Sequence, residues 1–150
     1  VEAIREAALT RPTLGICLGM QALFNRSDEN GGIDALGLIA GEVHRFPSPL
    51  LDSRTGTRLK IPHMGWNQVH QTRSHPLWAG IADHTPFYFV HSFYAAPRAT
   101  ATVFGESEHG LIFPACVGQG CLFATQFHPE KSQNAGLQLL VNFLQWDGAV

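Results

Sequence analysis

The sequence has few charged residues, few cysteines and no long apolar run, and each scarcity excludes a class of protein. Charged residues are 15% of the 150, with 10 basic against 12 acidic side chains, which leaves no basic field for a nucleic-acid partner. No apolar run approaches the roughly 18 residues of a membrane span. Three cysteines without a Cys-x-x-Cys pair exclude a zinc ribbon and favour a reducing, cytoplasmic setting. The eight histidines show no metal-ligand spacing, so we expect neither a metal nor a cofactor.

Apolar residues make up 45% of the chain, enough for the core of one domain spanning residues 1–150. The pattern predicts a helix at 1–9 and a buried parallel strand at 13–16, followed by helical character at 19–24. Ser132 is expected to cap a last helix. The apolar residues of that helix repeat at helical spacing: Leu137, Leu140, Val141 and Leu144.

Between these elements the sequence favours strands, with parallel pairing early and antiparallel pairing later. The aromatic run at 86–96 is predicted to be one strand, and 99–106 its antiparallel neighbour. Gly118-Gln119-Gly120 indicates a hairpin turn. We therefore expect an α/β fold, with two further strands at 38–46 and 62–69.

The first motif that suggests chemistry is Gly15-Ile16-Cys17-Leu18-Gly19, which lies where a strand ends and a helix begins. A nucleophile between two glycines at such a turn is a nucleophile elbow, in which larger side chains at Gly15 and Gly19 would clash. The helix N-terminus is expected to lower the pKa of the Cys17 thiol. The Leu18 N–H is expected to face a developing oxyanion. The alternative is a glycine-rich turn around a buried, inert cysteine.

The second motif is Phe127-His128-Pro129-Glu130, near the other end of the chain. Pro129 favours extended geometry at His128, and in extended chain residues two apart point the same way. Glu130 can therefore orient the His128 ring, as in the base half of a triad. The alternative is an ordinary surface loop at a strand end. Cys17, His128 and Glu130 together indicate acyl transfer through a thioester, provided that the sheet brings both strand ends to one edge.

These two segments, extended to Gln21 and to Lys131-Ser132, resemble the signatures of class I, triad-type glutamine amidotransferases. The strings at 62–67 and 89–94, Pro-His-Met-Gly-Trp-Asn and Phe-Val-His-Ser-Phe-Tyr, resemble the glutaminase subunits of imidazole glycerol phosphate synthases. The resemblance implies a flavodoxin-like fold, with a mixed sheet flanked by helices. It also implies hydrolysis of glutamine to glutamate and ammonia by Cys17, His128 and Glu130, with Leu18 in the oxyanion hole.

The resemblance implies further roles. Gln21, Glu29, Ser92 and Phe93 would bind the substrate, and helical spacing independently places Gln21 on the face of Cys17. Glu29 has no such support and could be an exposed charge. The implied partner is a (β/α)8-barrel cyclase of histidine biosynthesis, forming a heterodimer through residues that include Trp66, Asn67 and Lys131.

Other residues are open to more than one interpretation. Trp66 could instead pack in the core, and His91 is predicted to be a packed, hydrogen-bonded residue rather than a catalyst. Cys116 and Cys121 are expected to be free structural thiols. The basic residues Arg45, Arg54, Arg58 and Lys60 could form a solvated loop or contact the partner.

By comparison with the family, we expect this chain to lack an N-terminal part. About three strands and a Pro-Gly-rich turn that supplies the second oxyanion donor would precede Val1, and we expect residues 1–150 alone to be poorly soluble and inactive. Two alternative functions stay open: the glutaminase subunit of another synthase, such as anthranilate synthase, and a non-catalytic interaction subunit.

Overall fold

The computed structural model describes all 150 residues as three α-helices and thirteen short strands. The helices are α1 (Glu2–Thr10), α2 (Leu18–Gln21) and α3 (Gln133–Gln145). The strands are β1 (Thr13–Ile16), β2 (Arg26–Ser27), β3 (Ile33–Asp34), β4 (Gly41–Arg45), β5 (Leu50–Leu51), β6 (Arg58–Leu59), β7 (His63–Gln68), β8 (His70–Gln71), β9 (Pro86–His91), β10 (Phe93–Pro97), β11 (Val103–Glu108), β12 (Ile112–Gln119) and β13 (Leu122–Thr125). Four 3-10 turns complete the chain, at Glu29–Gly31, Pro76–Trp78, Thr100–Thr102 and Pro129–Lys131. No helix is both long enough and apolar enough to cross a bilayer.

The principal sheet has five strands in the order β1-β13-β12-β11-β8. As predicted, β1 is a parallel strand: it pairs with β13, and Ile16 lies opposite Thr125. β12 and β13 form the predicted hairpin around residues 118–120. Because β1 is an edge strand, its C-terminal end is next to only one other strand end, that of β13.

The predicted strand at 86–96 is wrong as a single element, because the chain bends at Ser92. β9 pairs with β7 in one sheet, and β10 pairs with β4 in another. The expected pairing of 99–106 with this segment is also wrong, since β11 pairs with β12 and β8. The aromatic pattern continues through the bend and therefore carries no sign of it. Only the partner strands reveal where one sheet ends and the next begins.

Helix α3 lies where it was predicted, but the face predicted to be buried is wrong. Leu137 and Leu144 are 58% and 82% exposed, whereas Leu139 is fully buried in the core. Gly136 allows close packing, because a Cβ at this position would overlap the Pro129 carbonyl oxygen. The Ser132 hydroxyl does not cap α3 but donates to the His128 carbonyl, at 2.6 Å.

Two hydrophobic clusters flank the principal sheet and differ in composition. One is largely aromatic and joins α3 to β9 and β13. The other is aliphatic apart from one phenylalanine and joins α1 and α2 to β4 and β13; it includes Ala8, Met20, Phe24, Val43 and Ala124. Strand β13 contributes to both clusters, so the loop that follows it is anchored from both sides.

Candidate active site

Cys17 lies in the sharp turn between β1 and α2, with backbone angles of φ 51° and ψ −106°. A positive φ is unusual for a residue other than glycine and marks local strain. The close approach predicted at Gly15 is present, since a Cβ there would lie 3.0 Å from the Gly19 carbonyl oxygen. The clash expected at Gly19 is wrong, because the space around its Cα is open.

Three groups surround the Cys17 thiol. The thiol donates to the Val90 carbonyl at 3.9 Å, and the Gln126 side-chain amide donates to the sulfur at 3.7 Å. The Leu18 backbone N–H also bonds the sulfur, as expected for a donor at this turn. Burial nevertheless raises the pKa of the thiol, outweighing the lowering by Leu18 and Gln126. The expectation of a lowered pKa was wrong, since α2 has only four residues and the site is partly buried.

His128 and Glu130 form the predicted pair. His128 is extended, at φ −97° and ψ 101°, and its Nδ1 lies 2.6 Å from the Glu130 carboxylate. Since a carboxylate only accepts, Nδ1 carries the proton, which leaves Nε2 of the neutral ring free to accept one. The His128 backbone N–H donates to the Tyr88 carbonyl, which ties this loop to β9.

The parallel pairing of β1 and β13 brings the two motifs to one edge of the sheet. The Cys17 N–H donates to the Thr125 carbonyl at 2.7 Å, just before the Gln126–Lys131 loop. Glu130 raises the pKa of the Cys17 thiol and Lys131 lowers it, so both charges are close enough to act on the sulfur. A nucleophile and a histidine–carboxylate pair therefore share this edge.

A cavity of about 350 Å³ opens beside Cys17. Its lining includes Leu18 and all four residues predicted to bind substrate: Gln21, Glu29, Ser92 and Phe93. A second cavity of about 430 Å³ shares Leu18, Gln21 and Glu29 with the first. Glu29 is half-buried in this wall and not an isolated surface charge. The fold thus brings the predicted substrate residues together around the thiol.

The Gln21 side chain is largely committed inside the protein. Its Nε2 donates both to the Phe93 carbonyl and to Gln126 Oε1, each at 3.0 Å. Only Oε1 is left to face a ligand, and this atom is an acceptor. Gln126 was not singled out as a site residue, although it stands in the second motif. Nothing in the sequence signals its burial, since a glutamine next to a strand is usually exposed.

The three residues predicted to face a partner behave differently. Trp66 is 49% exposed, so the alternative of core packing is wrong, and its ring meets Tyr88 edge-on. Lys131 is also exposed. The Asn67 side chain is bonded within the chain, to the Glu108 carbonyl at 2.8 Å and to His63 at 3.2 Å.

His91 is packed and hydrogen-bonded, as predicted. It pairs across the strands with His63, whose Nδ1 lies 2.9 Å from His91 Nε2. Burial is the main cause that lowers the pKa of His63 to about 3 and that of His91 to about 4, and the neighbouring imidazoles lower both further. Both rings are therefore neutral at neutral pH.

A further polar cluster lies away from Cys17. His70, Asp83 and His84 place ligand-type atoms within 4.8 Å of one another, a grouping that their sequence spacing did not indicate. All three are exposed. Asp83 already accepts the backbone N–H groups of Gln71 and His84, so it holds the loop closed. The cluster therefore has a structural explanation.

The comparisons with known proteins fit this geometry. The family described as glutamine amidotransferase class-I matches residues 1–146. The chain belongs to the class-I glutamine amidotransferase family. It is 58% identical over 147 residues to the imidazole glycerol phosphate synthase subunit HisH of Methylococcus capsulatus, covering 97% of this chain and 67% of that protein. The HisH subunit of Chromobacterium violaceum is 54% identical over 149 residues, with 99% and 69% covered.

Solved structures show the same amidotransferase fold at lower identity. The structure of a putative GMP synthase component from Thermoplasma acidophilum aligns with a TM-score of 0.60 at 21% identity, covering 91% of this chain and 57% of that one. A glutamine amidotransferase from Thermotoga maritima aligns at 0.57 and 19%, covering 96% and 50%. This chain thus spans about two thirds of the curated relatives and half or slightly more of these structures.

Proposed function

We propose that this amidotransferase hydrolyses glutamine to glutamate and ammonia, as the glutaminase subunit of an imidazole glycerol phosphate synthase in histidine biosynthesis. The observation that carries the proposal is the juxtaposition of Cys17, in a strained turn after β1, with the His128–Glu130 pair after β13. The similarity to HisH subunits supports the pathway.

The proposed chemistry starts from a neutral thiol, because burial raises the pKa of Cys17. His128 Nε2 takes the thiol proton, and Glu130 stabilises the imidazolium. The sulfur attacks the side-chain amide carbon of glutamine, and the Leu18 N–H bonds the oxyanion. The C–N bond breaks as His128 returns the proton to the departing ammonia. Water, deprotonated by His128, then hydrolyses the thioester to glutamate and the free thiol.

The proposed substrate contacts follow from the donors and acceptors that remain free. Gln21 Oε1 and the Glu29 carboxylate both line the cavity and can only accept. The α-ammonium of glutamine carries three donors and a positive charge, so it complements this pair. Ser92 and Phe93 form the opposite wall, where their backbone would contact the rest of the substrate.

The proposed partner is the cyclase subunit, expected to be a (β/α)8-barrel that receives the ammonia. The name of the HisH relatives, a subunit of a synthase, supports a second subunit. Exposed Trp66 and Lys131 are proposed to face that subunit in a cytoplasmic heterodimer. Asn67 is proposed to contribute through its position on β7, since its side chain is already bonded.

Replacing the nucleophile tests the proposal. In the assembled synthase, Cys17→Ala should abolish glutamine hydrolysis while synthesis from added ammonia persists, because the cyclase needs only the nitrogen. Cys121→Ala is the matched control, since Cys121 lies at the far end of β13. A glutamine-derived electrophile should label Cys17 alone. Labelling of Cys116 or Cys121 with Cys17 unmodified would refute the assignment, and an unreactive Cys17 with no hydrolysis would favour a non-catalytic subunit.

A further inference from the structure

Gln126 is a fully buried polar residue in contact with the proposed nucleophile. It follows β13 directly, and its backbone N–H donates to the Ala115 carbonyl at 2.8 Å. Its side chain reaches across the sheet edge, where Nε2 lies 3.7 Å from Cys17 Sγ and Oε1 lies 3.0 Å from Gln21 Nε2. A buried amide is costly unless both ends are bonded, and here both ends are.

The orientation of the Gln126 amide follows from one fixed acceptor, the Phe93 carbonyl. This oxygen cannot donate, so the Gln21 atom 3.0 Å away must be the nitrogen. The second N–H of that nitrogen faces Gln126, so the Gln126 atom that it meets must be the oxygen. The other end of Gln126 is then an N–H₂ group, and it faces the sulfur.

The Phe93 carbonyl is itself held from a second side. His91 Nδ1 lies 2.7 Å from it and must donate, so His91 Nε2 accepts from His63 Nδ1. His63 Nε2 then accepts from the Asn67 amide. Each donor in this chain has a unique direction, and reversing any one would place two donors or two acceptors face to face. The network therefore presents an N–H, not an oxygen, to Cys17.

We propose that Gln126 is a catalytic residue, which stabilises the Cys17 thiolate by donating a hydrogen bond to the sulfur. Hydrogen bonds to an ionised partner are about twice as strong as neutral ones, so the bond strengthens as the thiol loses its proton. Gln21 and the His91–His63 pair act as positioning residues, because they set which end of Gln126 meets the sulfur. This inference rests on the proposed role of Cys17.

The test is the pH dependence of Cys17 alkylation by iodoacetamide in the full chain, which reads the thiol directly and requires no glutamine. Gln126→Met removes the donor at similar volume, and we expect the thiol pKa to rise by about one unit. The corresponding loss of alkylation rate at neutral pH is about tenfold. Gln119→Met, an exposed glutamine at the opposite end of the β12–β13 hairpin, is the matched control. Subtracting the rate in Cys17→Ala removes labelling at the other cysteines.

Gln126→Glu separates donation to sulfur from support of Gln21. It keeps an acceptor for Gln21 but places a carboxylate oxygen at the sulfur, so the thiol pKa should again rise. The other charged or titratable groups around the thiol, His128, Glu130, Lys131 and Glu29, are unchanged in both variants.

An unaltered thiol pKa in folded Gln126→Met would overturn the proposal, as would a glutamate variant that matches the wild type in thiol pKa and kcat. If the methionine variant does not fold, the glutamate variant decides alone. A raised thiol pKa in a protein that fails to hydrolyse glutamine would leave this inference standing and refute the proposed function instead.

Discussion

Two histidines of this protein, His91 and His128, differ in their surroundings. His91 is 5% exposed, with both ring nitrogens bonded to neutral groups, and burial lowers its pKa to about 4. The side chain of His128 is 19% exposed; Nδ1 bonds a carboxylate and Nε2 has no protein partner. A ring saturated by neutral partners cannot exchange a proton, whereas one backed by an acid and open at Nε2 can. The difference teaches that hydrogen-bond partners, more than residue type, separate a framework histidine from a candidate base.

Removing the open histidine should have the largest effect. We expect His128→Asn to reduce kcat for glutamine hydrolysis by at least about 10⁴-fold, since no group is left to take the thiol proton. The free energy of unfolding should stay within about 0.5 kcal/mol, because the ring lies outside both hydrophobic clusters. Steady-state kinetics and urea denaturation measure the two quantities. Activity within tenfold of wild type would contradict the comparison.

Neutralising the carboxylate should have a smaller effect. Glu130→Gln preserves an acceptor for the His128 Nδ1–H but removes the charge that stabilises the imidazolium. We expect kcat to fall by about 10²–10⁴-fold, with a smaller change in KM. The pH profile of kcat is the decisive measurement, since the apparent pKa of the base should fall. Glu108→Gln, a change in an exposed residue of β11, is the control.

Acid should destabilise the framework side, with the smallest effect. His63 and His91 have folded pKa values of about 3 and about 4, below the unfolded value near 6.5. Between pH 6.5 and 4 the unfolded state therefore binds more protons, so the free energy of unfolding decreases as the pH falls. Each group contributes at most about 1.4 kcal/mol per pH unit.

Denaturant titrations from pH 7 to pH 4 check this slope. In His91→Phe the slope should be shallower, because one titrating group is gone. The same variant should be less stable at pH 7 by about 1–3 kcal/mol, since the His63 donor loses its acceptor. An equal slope in wild type and variant would show that His91 does not titrate in this way.

The parts of the fold that were predictable from sequence are those with local causes. The β1 strand, the β12–β13 hairpin and the extended geometry at His128 each follow from residues within a few positions. The bend at Ser92 and the buried face of α3 were missed, because both depend on distant partners. Apolar residues occur on two sides of α3, and only packing against the Pro129 turn selects Leu139 over Leu137.

The sequence by itself determined the chemistry on offer: a cysteine between glycines, a histidine followed by proline and glutamate, and a family signature around both. Tertiary structure alone decided that burial raises the Cys17 pKa, that Gln126 meets the sulfur, and that His63 and His91 form a neutral pair. The physical reason is that turn geometry depends on neighbours in the chain, whereas solvation and the direction of a hydrogen bond depend on groups that folding brings from elsewhere.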